Sequence, residues 1–215
     1  MIRRFLLLPA MSSAFVSVML AGSLILPAGT LIVNGSFENV TTGWQITDPD
    51  HNFSTSISSS TKFGAGSHSG DYYVWGGDTT PEGVDPGVPH TGIVQQSGIA
   101  TQQGVNYTLS FWLRNIPSNG NPINQLEVHW NNFGSPGSAP VLAMANIVAS
   151  ANYQQYWVDV VGGANPGELT FELYNGPTAL LLDDVSLTET VPEPDTWRLL
   201  GAGLLRVGIG KLRGR

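Results

Sequence analysis

The sequence predicts an all-β domain, two antiparallel sheets packed face to face, over residues 30–190. Three observations predict it. Apolar and polar residues alternate with period two over short runs, Gly-, Pro- and Asn-rich breaks separate those runs, and no stretch of the body repeats with a helical period. Eight or nine short strands in one domain of this length pack as two layers.

The runs follow in chain order. Leu31–Phe37 is the first candidate strand, followed by Asp71–Trp75 and Gly92–Ser97. Tyr107, Leu109, Phe111 and Leu113 take one side of the next, with Thr108, Ser110, Trp112 and Arg114 on the other. Leu126, Val128 and Trp130 alternate with Glu127, His129 and Asn131, and Val141–Val148 follows. Tyr156, Val158 and Val160 alternate with Trp157, Asp159 and Val161; Leu169, Phe171 and Leu173 alternate with Thr170, Glu172 and Tyr174. Leu180–Leu187 closes the body. Ser54–Thr61 and Thr79–Pro89 read as long solvated loops, and Ile116–Pro122, Gly134–Pro140 and Gly162–Gly167 as breaks.

Charge is segregated. Residues 31–190 carry fourteen acids and two bases, Lys62 and Arg114, a net of −12 with histidine neutral. Such a body has no rows of Lys or Arg to face phosphate, which excludes nucleic acid as a partner. The absence of cysteine excludes disulfides, a thiolate nucleophile and Cys-ligated metal. No G-x-S-x-G elbow, H-E-x-x-H pair or phosphate-cradling Gly loop occurs, and the four histidines have no metal-like spacing. Fourteen acids make chance carboxylate pairs easy, so glycoside hydrolysis is the weaker reading and a non-enzyme the stronger.

The remaining bases lie at the tips. Arg3-Arg4, the apolar stretch Phe5–Leu26 and Ala28-Gly29 have the order of a secretory signal over residues 1–29. The stretch is long for a cleaved signal, which leaves an uncleaved anchor as the alternative. Residues 191–215 read Val191-Pro192-Glu193-Pro194-Asp195-Thr196-Trp197, then Gly- and Leu-rich sequence, then Lys211-Leu212-Arg213-Gly214-Arg215. This tail resembles the PEP-CTERM sorting tails of Gram-negative bacteria, with Pro192, Glu193 and Pro194 as the motif. The resemblance implies a sorting helix inserted transiently in the inner membrane. It also implies cleavage by an exosortase-type enzyme, and residence at the cell surface or in an exopolysaccharide matrix. Arg198 and Arg206 depart from the pattern by interrupting the apolar stretch. From Trp197 to Gly210 a helix at about 1.5 Å per residue spans only about 21 Å, short of the roughly 30 Å hydrocarbon core, so the signal reads as a weakened one.

The body carries a second resemblance. Asn34-Gly35-Ser36-Phe37-Glu38, Gly43-Trp44, Tyr107–Leu113 and Leu182-Asp183-Asp184-Val185-Ser186-Leu187 recur in this order in galactose-binding-like jelly rolls, the carbohydrate-binding modules among them. This resemblance implies a jelly-roll β-sandwich and a structural Ca²⁺ between the first and last strands, carried over to Glu38 and Asp184. Alternation along a strand lets at most one of Asp183 and Asp184 face Glu38. For a glycan, the useful groups are exposed aromatics with planar hydrogen-bonders beside them. Trp112, Trp157 and Tyr174 fall opposite the core sides of their strands, with Arg114, Glu127, His129 and Glu172 on those same sides. Trp112, Arg114, Glu127 and His129 form one patch if their strands are neighbours. Trp44, Trp75 and Trp130 are assigned to packing. The functional expectation is a non-catalytic surface or matrix protein associated with exopolysaccharide, the alternative a carbohydrate-binding module with a defined groove. The acidic body favours a neutral glycan unless calcium bridges an acidic one.

Overall fold

The computed structural model describes residues 29–47, 55–59, 64, 66–77, 91–116, 123–135, 138–176 and 178–190. The expected signal segment, apart from Gly29, and the whole tail with Pro192, Glu193 and Pro194 lie outside them. Ten strands are described: β1 Gln45–Thr47, β2 Thr55–Ser59, β3 Tyr72–Gly76, β4 Gly92–Ile99, β5 Asn106–Asn115, β6 Ile123–Trp130, β7 Leu142–Ala145, β8 Gln154–Val161, β9 Gly167–Gly176 and β10 Leu180–Glu189. They form two antiparallel five-stranded sheets, β1-β4-β9-β6-β7 and β2-β3-β10-β5-β8. The β-sandwich expected from the alternation is the fold found.

The core lies where the inward residues of both sheets meet. Leu109, Phe111 and Leu113 of β5 and Leu180 and Leu182 of β10 face Leu126 and Val128 of β6 and Leu169, Phe171 and Leu173 of β9, all essentially inaccessible to solvent. Phe111 meets Phe171 edge to face, ring centroids 5.2 Å apart. At about 25 cal/mol per Å² of apolar surface, each such side chain contributes on the order of 2 kcal/mol. The unbroken apolar run Leu180-Leu181-Leu182 has its own cause. Leu181 points out of the sandwich into a second cluster with Tyr73, Trp75 and Ala179, so β10 is buried on both faces at this end. Trp44, Trp75 and Trp130 are buried, as their assignment to packing requires.

Two local expectations are corrected. Leu31–Phe37 forms successive turns, not a strand. Asn34 and Phe37 take φ of 53° and 61°, in the left-handed region where a strand cannot continue. The Asn34 side chain fixes the turns by accepting the Asn39 N–H and donating to the carbonyls of Val40 and Thr42. These turns insert Phe37 and Trp44 against the core. Conversely, Thr55–Ser59 within the Ser/Thr-rich stretch is no loop: it pairs along β3 as an edge strand.

The ends of the body meet. Leu31 donates its N–H to the Leu187 carbonyl at 2.8 Å, and Leu187 returns its own to the Thr30 hydroxyl at 3.0 Å.

Candidate functional site

The segment 66–72 lies over β10, held by three carboxylates. Glu38 Oε1 accepts the backbone N–H groups of Asp71 and Tyr72, each at 2.9 Å. Asp183, with no exposed surface, accepts those of His68 at 2.8 Å and Ser69 at 3.2 Å on Oδ2, and that of Asp184 on Oδ1. Asp184 accepts the Ser69 hydroxyl at 2.7 Å and stands 2.5 Å from His68 Nδ1. Adjacent aspartates thus meet one loop, contrary to simple alternation. A register shift between Asp183 and Ser186 and a φ of 45° at Asp184 turn both side chains to the same side. Burial pushes the Asp183 carboxyl up to about 7; the neighbouring Asp184 charge adds to the rise and three backbone N–H groups oppose it. Glu38 and Asp184, the expected calcium pair, thus meet the same loop, Glu38 through Oε1 and Asp184 through both oxygens.

Beside this clasp, on the outer face of the second sheet, runs an open groove of about 290 Å³ lined by Ser67, His68, Trp112, Arg114, Asn152 and Tyr153 among others. The His68 ring lies flat on the Trp112 indole, centroids 3.8 Å apart and planes within 15°. Tyr153 meets His68 edge on at 5.6 Å. Arg114 is oriented by a bond from Nε to the Ser150 carbonyl at 3.2 Å. Trp157 is 61% exposed. It stands two residues along β8 from Gln155, the register partner of Trp112, and so shares the face with the groove.

The other predicted residues are elsewhere. Strand β6 belongs to the first sheet and β5 to the second, so Glu127 and His129 cannot join Trp112 and Arg114 in one patch. That expectation fails because sequence spacing gives the side of a strand but not its sheet. On the outer face of the first sheet, β6 and β9 are neighbours. Glu127 is opposite Glu172, and Gln125 opposite Tyr174. His129 stands between the two carboxylates, its Nε2 3.3 Å from Glu127 and 3.9 Å from Glu172. Burial raises the Glu172 carboxyl above its ordinary value, with His129 opposing and Glu127 reinforcing the shift. His68 and Tyr153, with Ser67 and Asn152 beside them, complete the groove from loops whose course no periodicity reveals.

No family model matches the chain, and no curated protein matches its sequence. Solved structures do match in shape. The K1 cleaved adhesin domain of Lys-gingipain from Porphyromonas gingivalis W83 superposes with a TM-score of 0.54, at 15% identity over 73% of this chain and 96% of that one. The module TmCBM61, solved in complex with β-1,4-galactotriose, gives 0.50 at 14% identity over 75% and 99%. The K3 adhesin domain of the same gingipain gives 0.50 at 18% identity over 73% and 96%. The body has the jelly-roll fold of carbohydrate-binding and adhesin domains. At these identities the likeness is one of fold; the chemistry rests on this chain's own residues.

Proposed function

We propose that this protein is a non-catalytic glycan-binding domain that works outside the cell, with the groove of His68, Trp112, Arg114 and Tyr153 and the neighbouring Trp157 as its binding face. One observation carries the reading: an exposed indole beside a groove that already holds a stacked ring pair and an oriented guanidinium. Aromatic faces stack on the apolar faces of pyranose rings, and the planar guanidinium donates to hydroxyl pairs. The β-1,4-galactotriose complex of a protein with this fold makes neutral β-linked hexose chains the first ligands to try. The acidic body points the same way, because a polyanionic glycan would meet repulsion.

Delivery belongs to the same reading. The secretory segment and the PEP-CTERM-like tail support export through the inner membrane, processing by an exosortase-type enzyme and association with exopolysaccharide. The calcium implied by resemblance stays with Glu38 and Asp184, where a cation would share the carboxylates with the N–H and O–H donors of the loop.

Affinity electrophoresis through gels containing neutral or acidic polysaccharides tests the binding reading. Retardation by a neutral glycan, reduced in Trp157→Ala and in Trp112→Ala, is expected; mobility unchanged in every gel would overturn it. For delivery, an epitope placed before Val191 is expected in the surface or released fraction, and its retention in the inner membrane would overturn that part.

A further inference from the structure

The outer face of the first sheet holds an arrangement that the glycan reading does not use. Glu127 and Glu172 are direct cross-strand partners on the central strands β6 and β9. Like charges placed so are destabilising unless something positive lies between them. His129 lies between them, only 6% exposed and covered edge on by Phe133 at 5.4 Å. Yet neither ring nitrogen of His129 makes a hydrogen bond. Its Nε2 approaches both carboxylates at 3.3 and 3.9 Å without the alignment that a shared proton needs. A buried imidazole whose ring nitrogens make no hydrogen bond, with Nε2 aimed at two opposed carboxylates, presents three ligand atoms to one point.

We propose that Glu127, His129 and Glu172 bind a divalent transition-metal ion of the zinc class. One ligand atom from each of the three lies within 4.8 Å of the others. In a tetrahedral zinc site with bonds of about 2.0–2.2 Å, ligand atoms stand about 3.3–3.6 Å apart. The His129–Glu127 separation of 3.3 Å already meets this, while the 3.9 Å from His129 to Glu172 and the gap between the two carboxylates, within 4.8 Å, close by side-chain rotation. Imidazole with two carboxylates selects zinc or its late first-row neighbours over calcium, which prefers six to eight oxygens. A cavity of about 60 Å³, lined by Thr91, Gln125, Glu127, Glu172 and Tyr174, adjoins the two carboxylates and leaves room for a water as fourth ligand. Sequence spacing hid the site because its ligands are an E-x-H pair on one strand and a glutamate forty-three residues later on the next.

The test uses the full chain without a histidine tag, stripped by chelator and dialysed. Titration with zinc chloride in a calorimeter is expected to show one ion per chain with a Kd of about 1 µM or below, unaffected by millimolar calcium. Substituting cobalt is expected to give the intense visible absorption of a four-coordinate site. His129→Gln and Glu172→Gln should each weaken binding by at least about 100-fold, whereas Glu38→Gln should not. Circular dichroism of each variant separates loss of the site from loss of the fold, and the isosteric Glu127→Gln gives a third reading if one variant misfolds. No binding to wild type at millimolar zinc, or binding that survives both His129→Gln and Glu172→Gln, overturns the proposal.

Discussion

Val185 donates its backbone N–H to the carbonyl of Gly35 at 2.9 Å, so the N-G-S-F-E segment and the L-D-D-V-S-L strand are bound to each other directly. The two peptides lie so close that a Cβ on Gly35 would stand 1.9 Å from the Val185 carbonyl oxygen. Gly35→Ala is therefore expected to cost about 3 kcal/mol or more, by forcing the turn segment off β10. Gly98, at φ 76° with open space around its Cβ position, supplies the contrast. Gly98→Ala meets only the left-handed backbone penalty, about 1–2 kcal/mol. Urea unfolding of both variants checks the order; equal losses would remove the steric argument.

Loss of the Glu38 carboxylate frees the N–H groups of Asp71 and Tyr72. Charge-assisted bonds of this kind contribute about 1.5–3 kcal/mol each, discounted here because the site is partly wet. Glu38→Ala should then lower stability by about 2 kcal/mol in thermal or urea denaturation. Since the loop donors already hold Glu38 Oε1 and both Asp184 oxygens in place, adding calcium to chelator-stripped wild type is expected to leave Tm unchanged. A calcium-dependent rise in Tm that Glu38→Ala lacks would instead establish the cation there.

The raised carboxyl of Asp183 predicts a pH dependence. In the folded state it holds its proton up to about pH 7, whereas the unfolded chain releases it near the ordinary 3.8. Between those values the folded state binds more protons, so stability falls as pH rises from about 4 to about 7, by at most about 1.4 kcal/mol per pH unit. Asp184, His68, Arg114 and Tyr153 are the other titratable or charged groups around it. Urea midpoints at about pH 4.5 and about pH 6.5 in wild type and Asp183→Asn read the effect. An identical slope in the variant would assign it to another group.

Trp157 separates binding from stability. At 61% exposure on the edge strand β8 it has little packing to lose. Trp157→Ala is expected to leave the unfolding free energy within about 0.5 kcal/mol. It should also weaken binding of a neutral oligosaccharide about 5- to 10-fold, the worth of one aromatic contact. Trp112→Ala, which removes the platform under His68, should lower both stability and affinity.

How much of this was legible in the sequence depends on the range of the interaction involved. The strands β5, β6, β8 and β9 announce themselves because one buried face imposes period two on the residues, as at Leu126, Val128 and Trp130, whereas β3 and the start of β10 show as short apolar runs because both their faces are covered. Turns at Asn34 and Phe37 carry no such signature, since a non-glycine residue with positive φ looks like any other apolar or polar letter. Strand β2 hides because an edge strand with one face in solvent tolerates Ser and Thr almost throughout. Trp112, Arg114 and Trp157 lie on the outward sides that alternation predicts, and the pairing of β5 with β8 gathers them on one face. His129 and Tyr174 had the right orientation but fall on the opposite face, because assignment to a sheet is set by pairings such as β6 with β9 that span some forty residues. The E-x-H signal was present at Glu127 and His129, and only the cross-strand partner Glu172 gives it meaning.

The contact between Leu31 and Leu187 has a mechanical consequence. Entrance and exit lie side by side, tied by the two bonds of Leu187 to Leu31 and Thr30, so a pull applied between the two ends of the domain meets this tie before it meets the sheets. The tie acts as a latch: while it is closed, the face on β5 and β8 keeps its shape under load, and once it opens the force reaches β10 and the sandwich itself.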